Sequence, residues 1–361
     1  MSKVVIAIDS FKGCLSSLQA NEAAAQGVMQ ASADAEVVCV PVSDGGEGWL
    51  EAFHSAVGGQ LVDVNARDPM MRHVVAQYLV HDETAVIEIA RASGLTLVTP
   101  EERNPMVATS YGSGMLIVDA VRRGCRHIIV GLGGSATSDC GMGLLRAIID
   151  AFAPHGTWDD VRALDDVRFT IATDVSNPLC GPSGAAHVFA PQKGATPEMV
   201  QALDNRANRF AQFSARHFGY DRQNMAGAGA AGGLGYAFLQ YMNAECRSGI
   251  DLLLHYAGFD ALLQGASLVI TGEGSADSQT LMGKLPQGIL HRAKAQGVPV
   301  ALLAGSIADG QQLLDAGFSQ VLCINPPNLS LTEAILPDVA KTNITTTVKA
   351  IKIPLGPSLC Y

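Results

Sequence analysis

The feature that most constrains the fold of this chain is a series of short, Val- and Ile-rich runs that end at Gly, Asp or Ser. Segments with helical spacing separate several of these runs. The strand-like runs include VVIAIDS, AVIEIA, HIIVGLGG, RFTIATD, SLVITGEG and VALLAG, and the helical segments include SLQANEAAAQGVMQAS and GILHRAKAQG. Strands that alternate with helices form βαβ units with largely parallel sheets, and continuous apolar strands are typical of sheets covered on both faces. The pattern therefore predicts an α/β protein.

The length of 361 residues favours two domains, because domains commonly contain roughly 150 residues. The alternation of strands and helices is clearest at the two ends of the chain, whereas the strands in the middle are more widely spaced. We therefore predict a discontinuous domain with a doubly wound, flavodoxin-like parallel sheet from residues 1–65 plus 265–361. Residues 66–264 are expected to form an inserted, mixed α/β domain.

The net charge of −10 and the pI of about 5.3 describe an acidic surface. Such a surface repels nucleic acids and anionic membranes. The N-terminal segment MSKVVIAIDS has an apolar core too short for a signal peptide, and no run approaches the roughly 18 apolar residues of a membrane span. The cysteines form no CxxC pair, which favours reduced thiols. We therefore expect a soluble, cytoplasmic protein with no nucleic-acid or membrane partner.

Carboxylates recur at the ends of the strand-like runs. They are Asp9, Asp44, Glu47, Glu88, Asp174, Glu273 and Asp277. Ligands of parallel α/β sheets bind at the carboxyl ends of the strands, and so many carboxylates at one edge would require cations. Mg²⁺ prefers oxygen ligands and usually binds one or two carboxylates together with substrate phosphates. The set predicts a magnesium site, although each acid taken alone is equally well explained as a helix N-cap.

Glycine-rich segments follow several of the same runs. They are IDSFKG (8–13), SDGGEG (43–48), GLGGSATSDCGMG (131–143), APQKGA (190–195) and GEGSADSQTLMGKLP (272–286), and three of them carry a lysine, namely Lys12, Lys193 or Lys284. Glycine lets backbone N–H groups approach a phosphate closely, and the N-terminus of a following helix adds a favourable dipole. The five segments together predict a divided site for a polyanion, with plain tight turns as the alternative.

Standard nucleotide-binding motifs are either incomplete in this sequence or lack the expected preceding strand. Gly283 and Lys284 are followed by Leu285, where a Walker A motif requires Ser or Thr. The GAGAAG segment at 227–232 matches GxGxxG, but it follows RQNMA rather than a strand-like run. An NAD-dependent hydroxyacid dehydrogenase therefore stays only as an alternative.

Nine blocks in order carry a resemblance to a known family. The blocks are IDSFKGCLSS (8–17), PVSDGGEG (41–48), EIARASGL (88–95), NPMVATSYGSG (104–114), GLGGSATSDCGMG (131–143), TDVSNPLCG (173–181), FAPQKGA (189–195), GAGAAGGLG (227–235) and LVITGEGSADSQTLMGKLP (268–286). Together they resemble the bacterial type I glycerate kinases over nearly the whole chain. This resemblance implies two α/β domains around a cleft and a kinase that phosphorylates D-glycerate with ATP and Mg²⁺. It also implies 2-phosphoglycerate as the product, although the residues themselves do not indicate which hydroxyl reacts.

The chain departs from this family at positions inside the blocks. The family commonly has Asn in place of Ser138 and Gly in place of Cys140, and it usually carries Arg in place of Ser275. An Arg side chain would offer a fork of donors to a phosphate or carboxylate. Ser275 therefore predicts either a weaker enzyme or a substitute cation such as Arg91 or Lys284. The alternative is that the family Arg only braces the loop, in which case Ser275 is neutral.

Phosphoryl transfer requires positioning, charge neutralisation and a base for the acceptor hydroxyl. We predict catalytic roles for Lys12, Asp44, Asp174 and Asp277, and magnesium ligation by Asp44, Glu47 and Asp174. The residues predicted to bind ATP are Ser10, Gly45, Gly46, Gly133, Gly134, Ser135, Lys193 and Lys284. Lys12 would neutralise phosphate or carboxylate charge, while Asp44 or Asp174 would be the base or a metal ligand. A sugar-acid sensor without turnover is a second alternative, and the oligomeric state is open.

Overall fold

The computed structural model describes residues 2–281 and 285–354, which fold into alternating strands and helices. The strands are β1 (Lys3–Ile8), β2 (Glu36–Cys39), β3 (Gln60–Arg67), β4 (His73–His81), β5 (Thr84–Glu88), β6 (His127–Gly131), β7 (Arg168–Ala172), β8 (Glu245–Arg247), β9 (Ala266–Ala276), β10 (Val300–Ile307) and β11 (Gln320–Cys323). The α-helices are α1 (Ser17–Ala31), α2 (Trp49–Val57), α3 (Ala90–Ser93), α4 (Tyr111–Arg122), α5 (Met142–Phe152), α6 (Ala185–Phe189), α7 (Pro197–Phe218), α8 (Ala230–Met242), α9 (Gly249–Tyr256), α10 (Phe259–Leu262), α11 (Leu285–Ala295), α12 (Gly310–Ala316), α13 (Leu331–Ala334) and α14 (Pro337–Lys349). Within the described residues, none of the helices combines the length and the hydrophobicity needed to cross a bilayer. The prediction of an α/β protein is confirmed.

The described chain forms two units. The first takes in the described residues of Met1–Asp44, Glu51–Val57 and Ile250–Tyr361, and the second consists of Gly45–Leu50 and Gly58–Gly249. These boundaries lie earlier in the chain than those expected at 65 and 265. The first boundary moves because β3 pairs with β4 in the second unit. The second moves because most of α9 belongs to the first unit.

The described part of the first unit holds a five-stranded parallel sheet. Its strand order is β11-β10-β9-β1-β2, and every neighbouring pair is parallel. When these strands are numbered by their order within the unit, the sheet runs 2-1-3-4-5, which is the flavodoxin-like order. The predicted flavodoxin-like sheet is confirmed. The direction of the strand order reverses between β1 and β9, and ligands of such folds bind at this switch point.

Helices α1 and α14 cover one face of this sheet together. Ser16 starts α1 with a capping box, in which its hydroxyl accepts from the Gln19 N–H and the Gln19 side chain accepts from the Ser16 N–H. Gly27 permits the close approach of α14, because a Cβ at Gly27 would lie 2.7 Å from Thr345 O. Ile344 of α14 is fully buried in the same core as β1. The described residues after about 340 therefore contribute to this core.

The second unit contains a mixed sheet formed by β3 to β8 in chain order. The pairs β3–β4 and β4–β5 are antiparallel, whereas β5–β6, β6–β7 and β7–β8 are parallel. The predicted mixed α/β unit is confirmed. The parallel strands are buried, as Ile87 and Ile171 illustrate. Their carboxyl ends share one edge, where Glu88 ends β5, the 131–143 segment follows β6, and Asp174 follows β7.

Candidate functional site

A pocket of about 420 Å³ lies at the carboxyl edge of the first sheet. All five strands, or the segments directly after them, contribute to its wall. The lining residues include Asp9, Lys12, Asp44, Glu273, Ser306 and Asn325. Its volume falls within the roughly 300–1,000 Å³ that is usual for ligand pockets. The structure thus brings together three of the strand-end carboxylates and one of the predicted lysines at the switch point.

Hydrogen bonds at the end of β1 fix the segments that carry Asp9 and Asp44. The Ser17 hydroxyl donates to Ile8 O at 2.6 Å and accepts from the Val42 N–H at 2.8 Å. Ser17 is buried at the start of α1 and therefore ties the end of β1 to the segment after β2. This tie holds both acids at the same end of the sheet.

The Asp9 carboxyl lies in an environment that disfavours its charge. Burial and, secondarily, the Asp44 carboxylate raise the pKa of Asp9 to about 7, and Glu273 adds to the effect. The Ser10 N–H, which donates to Asp9 Oδ1 at 2.7 Å, and the Lys12 ammonium act in the opposite direction. A strongly displaced pKa in a pocket is typical of functional sites. A cation bound here would offset the repulsion among the carboxylates.

Strand β9 is longer than the sequence pattern predicted. It continues past the run SLVITGEG to Ala276 because Ser275 pairs with Ser306 of β10. Glu273 is therefore part of the sheet rather than of a loop after it. Its carboxylate is buried and accepts a hydrogen bond from the Thr280 hydroxyl at 2.5 Å.

The other predicted residues of the first unit have different environments. Ser10 lines the pocket. Asp277 Oδ1 accepts from the Gln279 N–H at 2.7 Å, which stabilises the turn after β9, so a catalytic role for Asp277 stays a prediction. Ser275 lines the pocket, and its hydroxyl accepts from that of Ser306 at 2.9 Å. The predicted ATP ligand Lys284 lies outside the described residues.

The glycines of the second unit pack two loops against each other. The Gly133 N–H donates to Gly45 O at 3.0 Å, and a Cβ at Gly133 would lie 2.3 Å from Gly46 Cα. Gly45 and Gly134 have φ values of 101° and 71°, in the region that glycine adopts without strain. Close packing and turn geometry therefore account for these four glycines, and phosphate binding by them stays a prediction.

The sequence pattern predicted that a phosphate binds at the N-terminus of α5. In the structure this N-terminus binds a carboxylate of the chain itself. Asp139 Oδ2 accepts from the Gly143 N–H at 3.1 Å and from the Ser110 N–H at 2.9 Å, and its Oδ1 accepts from the Gly141 N–H at 3.1 Å. Asp139 thus occupies the N-terminus of α5 and also binds Ser110, the residue before α4. Any ligand of the 131–143 segment must bind through other groups.

Lys193 is buried beneath the same segment. Its ammonium donates to Ser135 Oγ at 2.8 Å and to Thr137 O at 2.6 Å, and the Arg206 guanidinium donates to Ser138 O at 2.8 Å. Burial lowers the pKa of Lys193 to about 7. Two of the predicted ATP-binding residues, Ser135 and Lys193, are therefore in direct contact, and cationic side chains hold successive carbonyls of this loop.

Two hydroxyls of this loop lack partners. Within residues 2–281 and 285–354, Thr137 Oγ1 and Ser138 Oγ are buried and have no hydrogen-bond partner. Buried polar groups are nearly always satisfied, so an ordered water or a ligand is the expected partner for them. Cys140 adds backbone strain, because its φ of 55° lies in the left-handed region. The Gly that is common in the resembled family would remove that strain, and strained backbone is often found at functional sites.

The strand-end acids that the sequence indicated in the second unit differ in exposure. Glu47 and Asp174 are exposed, whereas Glu88 is buried, accepts from the Leu50 N–H at 3.1 Å and pairs with Arg91 at 3.6 Å. Glu88 thus joins Leu50 of α2 to Arg91, and a role for Arg91 as a substitute cation stays a prediction. Among the residues that the structure describes, no three or more His, Cys, Asp or Glu side chains are grouped so as to hold a metal ion. The predicted magnesium ligands stay a prediction.

The GAGAAG segment does not have the context of a dinucleotide site. It lies between α7 and the first residues of α8 rather than after a strand. A Cβ at Gly229 would lie 2.3 Å from Pro178 O, and one at Gly232 would lie 2.0 Å from Thr137 O. Close packing against neighbouring loops therefore explains these glycines.

Sequence reasoning placed Asp9 and Glu273 in the set of strand-end carboxylates without giving either an individual catalytic or metal-binding role, and it gave Asp139 no role. Asp9 and Glu273 had a signal, because each lies at the end of a strand-like run, but the pairing of β1 with β9 could not be inferred from it. For Asp139 the only signal in the sequence was the general preference of Asp for helix N-termini. That preference does not reveal that the same carboxylate also binds Ser110.

Comparisons with known proteins agree with the fold. The profile of the glycerate kinase family matches residues 4–155 and 157–354. The chain is 39% identical to the glycerate kinase of Bacillus subtilis (strain 168), over 92% of each chain. It is also 39% identical to the glycerate 2-kinase of Escherichia coli (strain K12), over 89% of this chain and 91% of that protein. A crystal structure that carries the name glycerate kinase 2, from Salmonella typhimurium LT2, has 38% identity and a TM-score of 0.81 over 96% of both chains.

The chain is thus an α/β enzyme of the kinase class. More narrowly, it belongs to the glycerate kinase family. The family that the nine sequence blocks predicted is confirmed, and the dehydrogenase alternative is set aside.

Proposed function

We propose that this chain transfers the γ-phosphoryl group of ATP to the C2 hydroxyl of D-glycerate in a Mg²⁺-dependent reaction, which yields 2-phosphoglycerate and ADP. The family and the names of the relatives from Bacillus subtilis and Escherichia coli support glycerate as the acceptor. The observation that carries the proposal is the pocket at the switch point of the first sheet, where Asp9, Asp44, Glu273 and Lys12 meet. Phosphoryl transfer depends on such charged groups for positioning and charge neutralisation.

The donor chemistry of this pocket fits Mg²⁺. Carboxylate oxygens are its usual protein ligands, and phosphates and water complete its coordination. Burial and the neighbouring carboxylates raise the pKa of Asp9, and a divalent cation would offset both effects. We propose that Asp44 is a metal ligand or the acceptor base, with Asp174 as the alternative candidate for these roles, and that Lys12 neutralises substrate charge. When bound, the ion would neutralise the phosphates of ATP.

We further propose that the loop of residues 135–139 binds an anionic group of a substrate. The buried hydroxyls of Thr137 and Ser138 provide donors that the described chain leaves unused. Lys193 donates to Ser135 Oγ and to Thr137 O beside them, and a bound anion would favour its charged form. Asp139 occupies the adjoining helix N-terminus, so these hydroxyls, rather than the helix dipole, are the proposed donors.

We expect ADP to be released only when ATP, a divalent cation and D-glycerate are all present. A coupled assay for ADP measures turnover, and proton NMR of the product locates the phosphate through its coupling to the C2 proton. Reactions that lack one component serve as controls. A folded sample that forms no phosphoglycerate would contradict the proposal and favour the non-catalytic sensor. Phosphate at C3 would contradict only the proposed product.

Arg in place of Ser275 is expected to raise kcat/KM for D-glycerate by about 10-fold or more. Ser275 lines the pocket and is exposed, and a charge-assisted hydrogen bond there is worth roughly 1.5–3 kcal/mol, which corresponds to about 10- to 150-fold. Steady-state kinetics measures the change, and Ser275→Gln is the matched control because it adds length without charge. Unchanged or lower activity at an unaltered melting temperature would mean that this position meets no substrate charge.

We also propose that the protein works in the cytoplasm. The thiols of Cys39 and Cys323 are free and exposed, and such thiols persist in reducing compartments. Cell fractionation that recovers the native protein outside the cytoplasm would contradict this location.

A further inference from the structure

The wall of the pocket in the first sheet changes from charged to uncharged along the strand order. Its charged side chains come from β9 and from the segments after β1 and β2, and they are Asp9, Lys12, Asp44 and Glu273. The part of the wall that comes from β10, β11 and the helices after them carries no charge. It includes Ile324, Asn325, Leu331, Ala334 and Ile335. Neighbouring strands lie roughly 4.8 Å apart, so the two kinds of surface occupy different ends of one pocket.

Local hydrogen bonds hold the uncharged side in place. The Asn325 amide donates to Gly305 O at 2.8 Å, and its Oδ1 accepts from the Asn343 amide at 3.2 Å. Ser330 and Glu333 form a capping box at the start of α13. This side of the pocket is therefore preformed, which lowers the entropic cost of binding.

The apolar side chains of this side are open to solvent. Leu331 is 78% exposed and Ile335 is 45% exposed, although both line the pocket. Apolar groups at the mouth of a polar pocket indicate a ligand with an apolar face. D-Glycerate offers only a carboxylate, hydroxyls and a short carbon chain, whereas the purine base of ATP has such a face.

We propose that Leu331 and Ile335 contact the adenine base of ATP, and that its phosphates lie toward the charged side of the same pocket. This inference rests on the proposed kinase function, and it assigns the nucleotide to the first unit. The order of chemical groups along the pocket wall matches the order of groups along the nucleotide. An apolar surface is followed by the hydroxyls of Ser306 and Ser275 and then by Lys12 and the carboxylates that fit Mg²⁺. The order matches base, ribose and phosphates.

Calorimetric titration of Mg-ADP into the Leu331→Asp and Ile335→Asp variants tests this assignment. Loss of an apolar contact in a pocket typically costs about 10-fold or more, so we expect Mg-ADP binding to weaken and KM for ATP to rise by at least that factor. KM for D-glycerate should stay unchanged. Binding of magnesium tripolyphosphate, which lacks the base, should weaken much less than binding of Mg-ADP.

Leu336→Asp is the matched control. Leu336 is 51% exposed, directly follows Ile335 and does not line the pocket, and it is the N-cap of α14, where Asp is well tolerated. This variant should bind Mg-ADP like the wild type. The milder variants Leu331→Ser and Ile335→Ser give the same comparison if an Asp variant loses its fold.

Four results would overturn the assignment. They are unchanged Mg-ADP affinity, equal weakening of tripolyphosphate and Mg-ADP, a rise in KM for D-glycerate alone, and a change of oligomeric mass in the Leu331 and Ile335 variants. The last result would show that these side chains contact a second copy of the chain. Wild-type protein that makes no phosphoglycerate would instead refute the kinase proposal, so the two failures are distinguishable.

Discussion

Asn in place of Asp44 or of Asp174 is expected to lower kcat by about 100-fold or more while the melting temperature stays close to that of the wild type. A group that transfers a proton in the transition state typically contributes about 10²- to 10⁴-fold. Asn preserves the size of the side chain but cannot take up a proton at neutral pH or balance a cation. Both acids are exposed, so neither supports a core. Steady-state kinetics at saturating ATP and D-glycerate measures the loss.

Asp34→Asn and Asp166→Asn are the matched controls, because they replace exposed carboxylates in turns, one in each unit. Both should keep wild-type rates. The dependence on Mg²⁺ separates the two proposed roles, since loss of a metal ligand raises the Mg²⁺ concentration required, whereas loss of a base lowers kcat at every concentration. Near-normal rates in both the Asp44 and the Asp174 variant would refute the catalytic and metal-binding roles proposed for these acids.

Asn in place of Asp9 is expected to raise the free energy of unfolding at pH 8 by up to roughly 4 kcal/mol, which corresponds to a pKa displaced from 3.8 to about 7. Because the folded-state pKa is the higher one, folding favours the protonated carboxyl. The stability of the wild type therefore falls as the pH rises from about 4 to about 7, and the full cost is present above pH 7. Neutral Asn avoids this cost and can still accept from the Ser10 N–H.

Thermal melting at pH 8 and at pH 5, without divalent cation, checks this expectation. The gain of the Asp9 variant over the wild type should be clearly smaller at pH 5 and should vanish below about pH 4, where Asp9 is protonated in both states. Asp34→Asn should show no such dependence. A gain that is equal at both pH values, or a loss of stability at pH 8, would mean that the Asp9 charge is not disfavoured in the fold.

The position of strands could be predicted because a strand buried on both faces requires a run of apolar residues. The end of β9 could not, because its last residues, Gly274 to Ala276, form no apolar run and join the sheet only by pairing with β10. The domain boundary expected at 65 was displaced for the same kind of reason. Residues 60–67 alternate in burial and pair with β4, and no local pattern tells which sheet such a strand joins.

The candidate site also has features that the sequence predicted and features that only the fold decided. The block IDSFKG indicated Lys12 and Ser10, and both line the pocket. Lys193 was predicted from a lysine next to a glycine, but its burial beneath Ser135 and Thr137 depends on residues more than fifty positions away. The family was recognisable because the residues of the nine blocks and their order are properties of the sequence itself. The role of each block in the folded protein depends on contacts that the sequence does not reveal.

The sequence by itself determined the α/β class, the flavodoxin-like and mixed sheets and the glycerate kinase family, because periodicity and motif order are carried by neighbouring residues. Only the tertiary structure decided which strand ends meet. It placed Asp9 beside Glu273 by pairing β1 with β9, and it gave the N-terminus of α5 to Asp139. Hydrogen-bond partners, burial and pKa values are set by contacts between residues far apart in the chain. Chain folding, rather than local pattern, therefore determines which carboxylates are left to act on a ligand.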